Sequence, residues 1–508
     1  MSSAATLAWF ARHELRIAWR DWLGMMTSGR RSRRIGVIAG LVIVAIVMHL
    51  LAYAVIGRSG DPLVAPAPTT LIVISASIVL GWALVLSQAI EQATKVFYAR
   101  GDLDLIMSSP YPVTTVMSLR MSAVALTMIV LAFVMVLPFV DVLALTGGTR
   151  WLATYGVTIA AALSATAMAL LTTIALFRIF GPRRTRLAAQ VVSAIVGAGF
   201  IIALQVGAIL SYGTMSRFAV LMSDHAASYA PGPDSILWWP ARAVLGDSIA
   251  LATLLAFSLV LLGIAMAVCA PLFGDSILSV AGGSVATRVT GSAAPFRARS
   301  PQQALRRKEL TLLRRDPWLV SQTLMQLLYL VPPALMMWRS FGAGGGTALL
   351  LVPVIVMAAG QLAGGIAWLS ISGEDAPDLI ATSPLVASAV MRAKIEVVLI
   401  AIGVVLTPLL VPMAVAAPAA ALIAAAGAAV AAIAATAIQY WFRAQARRSQ
   451  FRRRHTSSRI ATFAEAFSSI GWAAASALVL MSPLVAGITA TMVLLVLALT
   501  YAISPRRA

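Results

Sequence analysis

The chain has 508 residues, of which 60% are hydrophobic and only 11% are charged, against about 25% charged in a soluble globular protein. Its mean hydropathy is +0.92 and its formal net charge is +20. The hydropathy excludes a soluble enzyme. The charge does not signal nucleic acid, because the basic residues sit in short segments between apolar runs, the distribution of a membrane protein.

In chain order, the first 34 residues are basic, are broken by Glu14 and Asp21, and lack the apolar stretch and small-residue cleavage site of a signal peptide. Leu7, Ala11, Leu15, Ala18 and Trp22 share one helical face there, and Arg12, Arg16 and Arg20 line another. Residues 4–23 are therefore expected to form a helix lying in the inner interface, apolar side in the acyl boundary and arginines at the headgroups. Apolar runs long enough to cross a bilayer as helices follow at about 35–56, 69–90, 121–146, 152–178, 187–212 and 249–272. A stretch rich in Gly, Ser and Ala, 273–301, reads as a cytoplasmic linker. A second basic amphipathic helix is expected over 303–316, ended by Pro317. Six more runs lie at about 320–340, 347–371, 395–415, 418–441, 463–482 and 484–503, the last two split only by Ser482-Pro483. No segment alternates with period two, so the expected fold is an all-α polytopic membrane protein of twelve spans.

With the N-terminus inside, the outer segments hold only Arg58, Arg150, Arg217, Arg242 and Arg339, which leaves 33 of the 38 Lys and Arg on the cytoplasmic side. That asymmetry places both termini in the cytoplasm. The one long outer segment, Ser211 to Ser248, carries Trp238-Trp239-Pro240, suited to short pieces at the outer interface. Gly360-x-x-x-Gly364 permits close helix approach, and the alanine run from Ala414 to Ala437 suggests tight packing. Seven arginines between Arg443 and Arg459 read as an anchor on anionic lipid.

Two phrases occur twice. Asp104, Leu105, Ile106, Ser109, Pro110, Val116 and Met117 recur as Asp378, Leu379, Ile380, Ser383, Pro384, Val390 and Met391, always 274 positions on. Ser108, Thr114 and Arg120 recur as Thr382, Ser388 and Lys394. Upstream, Arg12, Glu14, Leu15, Arg20 and Asp21 recur as Arg307, Glu309, Leu310, Arg315 and Asp316. The upstream phrase precedes spans one and seven, and the other separates spans two from three and eight from nine. The chain therefore reads as two six-span halves of like topology, 1–272 and 302–508, related by an axis along the membrane normal.

The loop phrase suits a short helix stopped at Pro110, with Thr114, matched by Ser388, as N-cap of a helix running into the next span. The result is a helical knuckle with an acidic tip: Asp102 and Asp104 in one half, Glu374, Asp375 and Asp378 in the other. Solvated loop charge is the plain alternative, and for the upstream helix a simple surface anchor is. A docking site explains better why seven identities persist in a connector.

An interfacial helix, two spans, a D-L-x-x-x-S-P knuckle and four further spans resemble the integral-membrane part of ABC-2 type exporters, here in a fused twelve-span form. The resemblance covers nearly the whole chain and rests on Arg307-Lys308-Glu309-Leu310 with Arg315-Asp316, and on Asp378-Leu379 with Ser383-Pro384. It implies that Arg12, Glu14, Arg20, Asp21, Arg307, Glu309, Arg315 and Asp316 belong to connecting helices. It also implies that 102–120 and 374–394 are coupling elements touching an ATPase. The first half departs from the pattern, with Trp22 where a proline follows Arg315-Asp316, Tyr111-Pro112 after its Ser-Pro, and 21 more residues between its two phrases. By the same resemblance spans two, five, eight and eleven line the path, with Ser75, Ser77, Gln190 and Gln205 among their few polar residues.

The only lysines, Lys95, Lys308 and Lys394, do not follow glycine, so no P-loop is present. No cofactor is expected on this chain; ATP-Mg belongs to a separate ATPase, in two copies for two docking sites. The expected partners are that ATPase and membrane lipid, not nucleic acid, and the expected location is the inner (cytoplasmic) membrane. The competing reading is an ion-coupled 6+6 carrier, which keeps ionisable groups within the membrane. Asp141 falls near the outer end of span three, Glu396 at the inner end of span nine beside Arg392, and Glu465 at the inner start of span eleven. His49 is the deepest titratable group and has no evident partner. An enzyme lacks support, because His13, His49, His225 and His455 show no ligand spacing and no nucleophile–base cluster stands out. No catalytic or metal residue is therefore assigned.

Overall fold

The computed structural model describes residues 16, 34–56, 68–98, 112–213, 220–221, 223–228, 230–232, 235–282, 300–315, scattered positions from 324 to 339, 346–372, 382, 384–442 and 459–504. Regular structure among them is entirely helical, without a strand. The long elements of the first part are α1 (Arg34–Ile56), α2 (Pro68–Tyr98), α3 (Val113–Gly147), α4 (Ala153–Tyr212) and α5 (Ser248–Gly282). Those of the second part are α6 (Pro301–Arg315), α7 (Gly346–Ser372), α8 (Ala387–Ala416), α9 (Pro418–Trp441), α10 (Arg459–Val479) and α11 (Pro483–Ile503). Among the described residues nine helical segments are long and apolar enough to cross a membrane. Large apolar side chains such as Val79, Leu84, Val134, Phe257, Val404 and Leu495 stay exposed along them, which a bilayer satisfies and water does not. The chain is a multi-pass membrane protein.

The helix ends test several expectations. The expected run at 320–340 lies largely outside the described residues. The break expected between the fourth and fifth spans is present: α4 is two helices meeting at Gly181, which adopts φ 69°, a conformation open to glycine, and the two spans are Thr149–Gly181 and Arg184–Tyr212. α5 extends to Gly282, ten residues into the expected linker. The break at Ser482-Pro483 falls where expected, with Pro483 opening α11. Trp239–Val244 forms a short helix after a turn at Ile236–Trp238, and the Trp238 indole donates to the Pro231 carbonyl at 3.1 Å.

The chain divides into two compact units: Met1–Ile201 with Phe218–Thr287, and Ile202–Arg217 with Arg288–Ala508. In the first, α3 is central. One face of it buries Met117, Met121 and Ala125 against Leu170 and Ile174 of α4 and Cys269 and Phe273 of α5. Another buries Val124, Met128 and Ala132 with Ile90 of α2 and Ala165 of α4. Ser87 and Ser193 share a hydrogen bond of 2.9 Å, tying α2 to α4. In the second unit α7 is central, packed by α8, α9 and α10, with α11 on α10 and α6 against α8. The alanine-rich α9 buries Ala424, Ala428, Ala431 and Ala435 there, the close packing its composition suggested.

Two helix pairs match in register. α2 ends at Tyr98 and α7 at Ser372; α3 starts at Val113 and α8 at Ala387. The end of α7 and the start of α8 each fall 274 positions after their counterparts, and each connecting segment has 14 residues. The preceding residues, Pro112 (φ −58°, ψ 125°) and Val386 (φ −68°, ψ 128°), share one conformation. Both pass their carbonyls to the amides three and four residues on. Pro138 in α3 corresponds to Pro412 in α8. Val124, Met128 and Ala132 correspond to Val398, Ile402 and Leu406, and all six are buried. Both helices thus turn the same stripe inward.

Candidate functional site

The site forms where α6 meets the first turns of α8. Ser300 caps α6, its hydroxyl accepting from the Gln303 amide at 3.3 Å, and Pro301 fills the first helical position, where an N–H has no intrahelical partner. α6 buries one stripe at four-residue spacing: Leu305, Glu309 and Leu313. A carboxylate in the middle of a buried stripe needs a partner, because burying an unpaired charge is costly. The partner is Lys394 on α8, whose Nζ lies 3.0 and 2.9 Å from the two Glu309 carboxylate oxygens. The Lys394 ammonium also donates to the backbone carbonyl of Ser370 near the end of α7. Glu309 is 1% exposed and Lys394 8%, so the pair is closed to water. One ammonium, with its three donors, therefore joins α6, α7 and α8 at a single node.

A second link runs beside it. Arg306 Nε donates to Glu396 Oε2 at 2.6 Å, and the Gln302 amide donates to the same oxygen at 3.2 Å. Glu396 was expected to pair with Arg392 on its own helix; its direct partner is instead Arg306 of α6. This outer bridge is about half exposed and contributes less than the buried one.

Of the expected site residues, Glu309 falls within the node. Arg307 faces outward on the same helix, and Arg315 is the last residue of α6. Thr114 and Ser388 are not N-caps. They occupy the second helical positions, exposed, and neither helix has a side-chain cap. The extended residues Pro112 and Val386 set the helix start two residues earlier than a Thr or Ser cap would require. Pro384 lies in an exposed bend just before α8. Asp102, Asp104, Leu105, Ser109, Pro110, Glu374, Asp375, Asp378, Leu379, Ser383, Arg12, Glu14, Arg20, Asp21 and Asp316 lie outside the described residues.

Two groups escaped the reading of the sequence. His49, expected to stand alone, has its Nε2 3.3 Å from Asp141 Oδ2, and the Tyr155 hydroxyl donates to the other Asp141 oxygen. α1, α3 and α4 thus share a polar cluster whose members are 92 and 14 residues apart, too far for any periodicity to reveal. Glu465 of α10 receives a hydrogen bond from the Gln439 amide of α9 at 2.6 Å and lies over Gly364 of α7. A side chain at Gly364 would occupy the carboxylate's position, so the small-residue spacing serves this contact. The Ser77 hydroxyl is spent on the Val73 carbonyl of its own helix. Among the described residues no group of three His, Cys, Asp or Glu could hold a metal.

Comparison with protein-family models, curated proteins and solved structures finds no match. The functional argument therefore rests on the repeat and on the node.

Proposed function

We propose that this chain is the transmembrane permease of an ATP-driven exporter of the ABC-2 type, with twelve spans in two parallel six-helix halves and both termini in the cytoplasm. Its membrane is the cytoplasmic one, and two copies of a separate ATPase bind it. The observation that supports this most is the shared register of α2–α3 and α7–α8. Two helix pairs keep the same 14-residue connector, the same helix start and the same buried stripe. The connectors carry the duplicated D-L-x-x-x-S-P phrase with its acidic tips, against an otherwise basic inner surface. In this reading ATP binding draws the two ATPases together and pushes on the knuckles. The node at Lys394 passes that displacement to α6, α7 and α8 together. The path between the halves, poor in polar residues, suits an amphiphilic cargo.

Purification from the native membrane in mild detergent tests this. A P-loop ATPase is expected at two copies per chain, lost when Asp104 and Asp378 are both replaced by Arg. Absence of any ATPase, with transport persisting without ATP, overturns the exporter. One observation favours the ion-coupled carrier instead: the His49–Asp141–Tyr155 cluster joins three helices. In that case Asp141→Asn abolishes proton- or cation-driven transport while leaving the chain folded.

A further inference from the structure

We infer that Glu465 is a proton-binding site, and that its proton closes α10 onto α7 and α9. The inference goes beyond the functional reading above and stands whether the chain is an exporter or a carrier. Three observations carry it. First, the carboxyl has no cation. Among the described residues its one hydrogen bond comes from the Gln439 amide, and no ion pair reaches it. α10 packs on α7, α9 and α11. The only other titratable or charged side chains in these four helices are Arg459 at the first position of α10, Tyr440 of α9 and Tyr501 of α11. Next, the carboxyl lies at the level of a lipid-facing surface and against backbone. Phe463 and Phe467, two positions to either side of it, are each 65% exposed on the opposite face of α10. The carboxyl itself takes the space that a side chain at Gly364 would fill. A neutral acid can lie there, whereas a carboxylate without a cation draws in water or moves out.

Finally, the polar groups beside it are unspent. Ser468 and Ser469, three and four positions on, are 1% and 0% exposed, and neither hydroxyl has a partner among the described residues. Thr436 on the facing α9, by contrast, donates to the Ala432 carbonyl of its own helix. The Trp472 indole N–H, one turn further along α10, is unpartnered too. Ser469 lies against Gly360 as Glu465 lies against Gly364. Buried hydroxyls within a turn of an acid can accept its proton or donate to its oxygens, so they serve either state of the carboxyl. Glu465 keeps part of its own surface exposed, which gives the proton a way in. A metal cation would want several oxygen ligands, and the Gln439 amide presents an N–H instead.

The test compares the full chain with Glu465→Gln, whose amide oxygen still accepts from Gln439 and whose charge is fixed. Melting midpoints of the two chains in detergent are followed from acid to alkaline pH. At acid pH the carboxyl is neutral both folded and unfolded, so the two chains are expected to differ least. As pH rises the unfolded carboxyl ionises and the folded one resists, so the parent's midpoint is expected to drop progressively relative to the variant's. A gap that stays constant with pH overturns the inference, as does a gap set by sodium concentration instead of pH. A second measurement needs no variant. Dicyclohexylcarbodiimide, which adds to protonated carboxyls in apolar surroundings, is applied to the parent chain and the modified residue is read by peptide mass. Label is expected at Glu465, fading as pH rises, and not at Glu309, whose carboxylate is paired with Lys394. No label at Glu465 at acid pH, or a label that pH leaves unchanged, also overturns it.

Discussion

A lysine and a glutamate that are both out of water hold each other only as a pair. Replacing Lys394 by Met leaves the buried Glu309 carboxylate with only the more exposed Lys308 ammonium, 3.6 Å away, as a cation. Such a loss costs about 3–5 kcal/mol, whereas the double variant with Glu309→Leu recovers most of it, because two apolar side chains of similar size carry no desolvation penalty. Melting of the single and double variants in detergent checks this. Arg306→Ala, at the exposed bridge, costs less than about 1 kcal/mol by the same measurement. Asp247 offers a pH test outside the membrane. Its carboxylate accepts from the Ile249 and Ala250 amides at 3.1 Å each, capping α5, and pairs with Arg242 at 3.0 Å. The Ala250 amide, then the Arg242 charge, hold its pKa below the ordinary carboxylate range. A depressed carboxylate contributes stability above its unfolded pKa and loses it as pH falls through the folded value. The stability gap between the parent chain and Asp247→Ala is therefore expected to be full at neutral pH and to close on acidification through that range.

Helix ends and helix contacts follow different rules, and only the first are local. Proline placement and apolar length locate the starts of α9 and α11 and the extents of most spans. The N-caps expected at Thr114 and Ser388 fail because an extended residue ahead of a helix can begin it without a side-chain cap. Glycine positions are visible in the sequence, but their use is not. Gly360 and Gly364 face Ser469 and Glu465 of α10, whereas a side chain at the adjacent Gly365 meets open space. Gly364→Ala is expected to displace the Glu465 carboxylate from Gln439 and to cost about 1–3 kcal/mol. Gly365→Ala is expected to leave stability unchanged or to raise it, since alanine favours the helix. Thermal unfolding of the two variants side by side separates packing from helix propensity.

Across the whole molecule the arginine distribution predicts which side each segment faces. With Cys269 replaced by Ser, Ser457→Cys in the arginine-rich segment is expected to be protected from an impermeant maleimide in intact cells, and Ser235→Cys to be labelled. The reverse pattern would invert the topology. Span lengths, the sidedness of charge and the duplicated phrases are properties of the chain's own order of residues, because bilayer thickness and positive charge act on each segment separately. The sequence by itself therefore determined a helical membrane protein and the register of its two helix pairs. Which polar groups meet was decided by tertiary structure alone. Glu309 with Lys394, His49 with Asp141 and Tyr155, and Glu465 with Gln439 lie on different helices, and a buried charge takes as partner whatever group packing brings within reach.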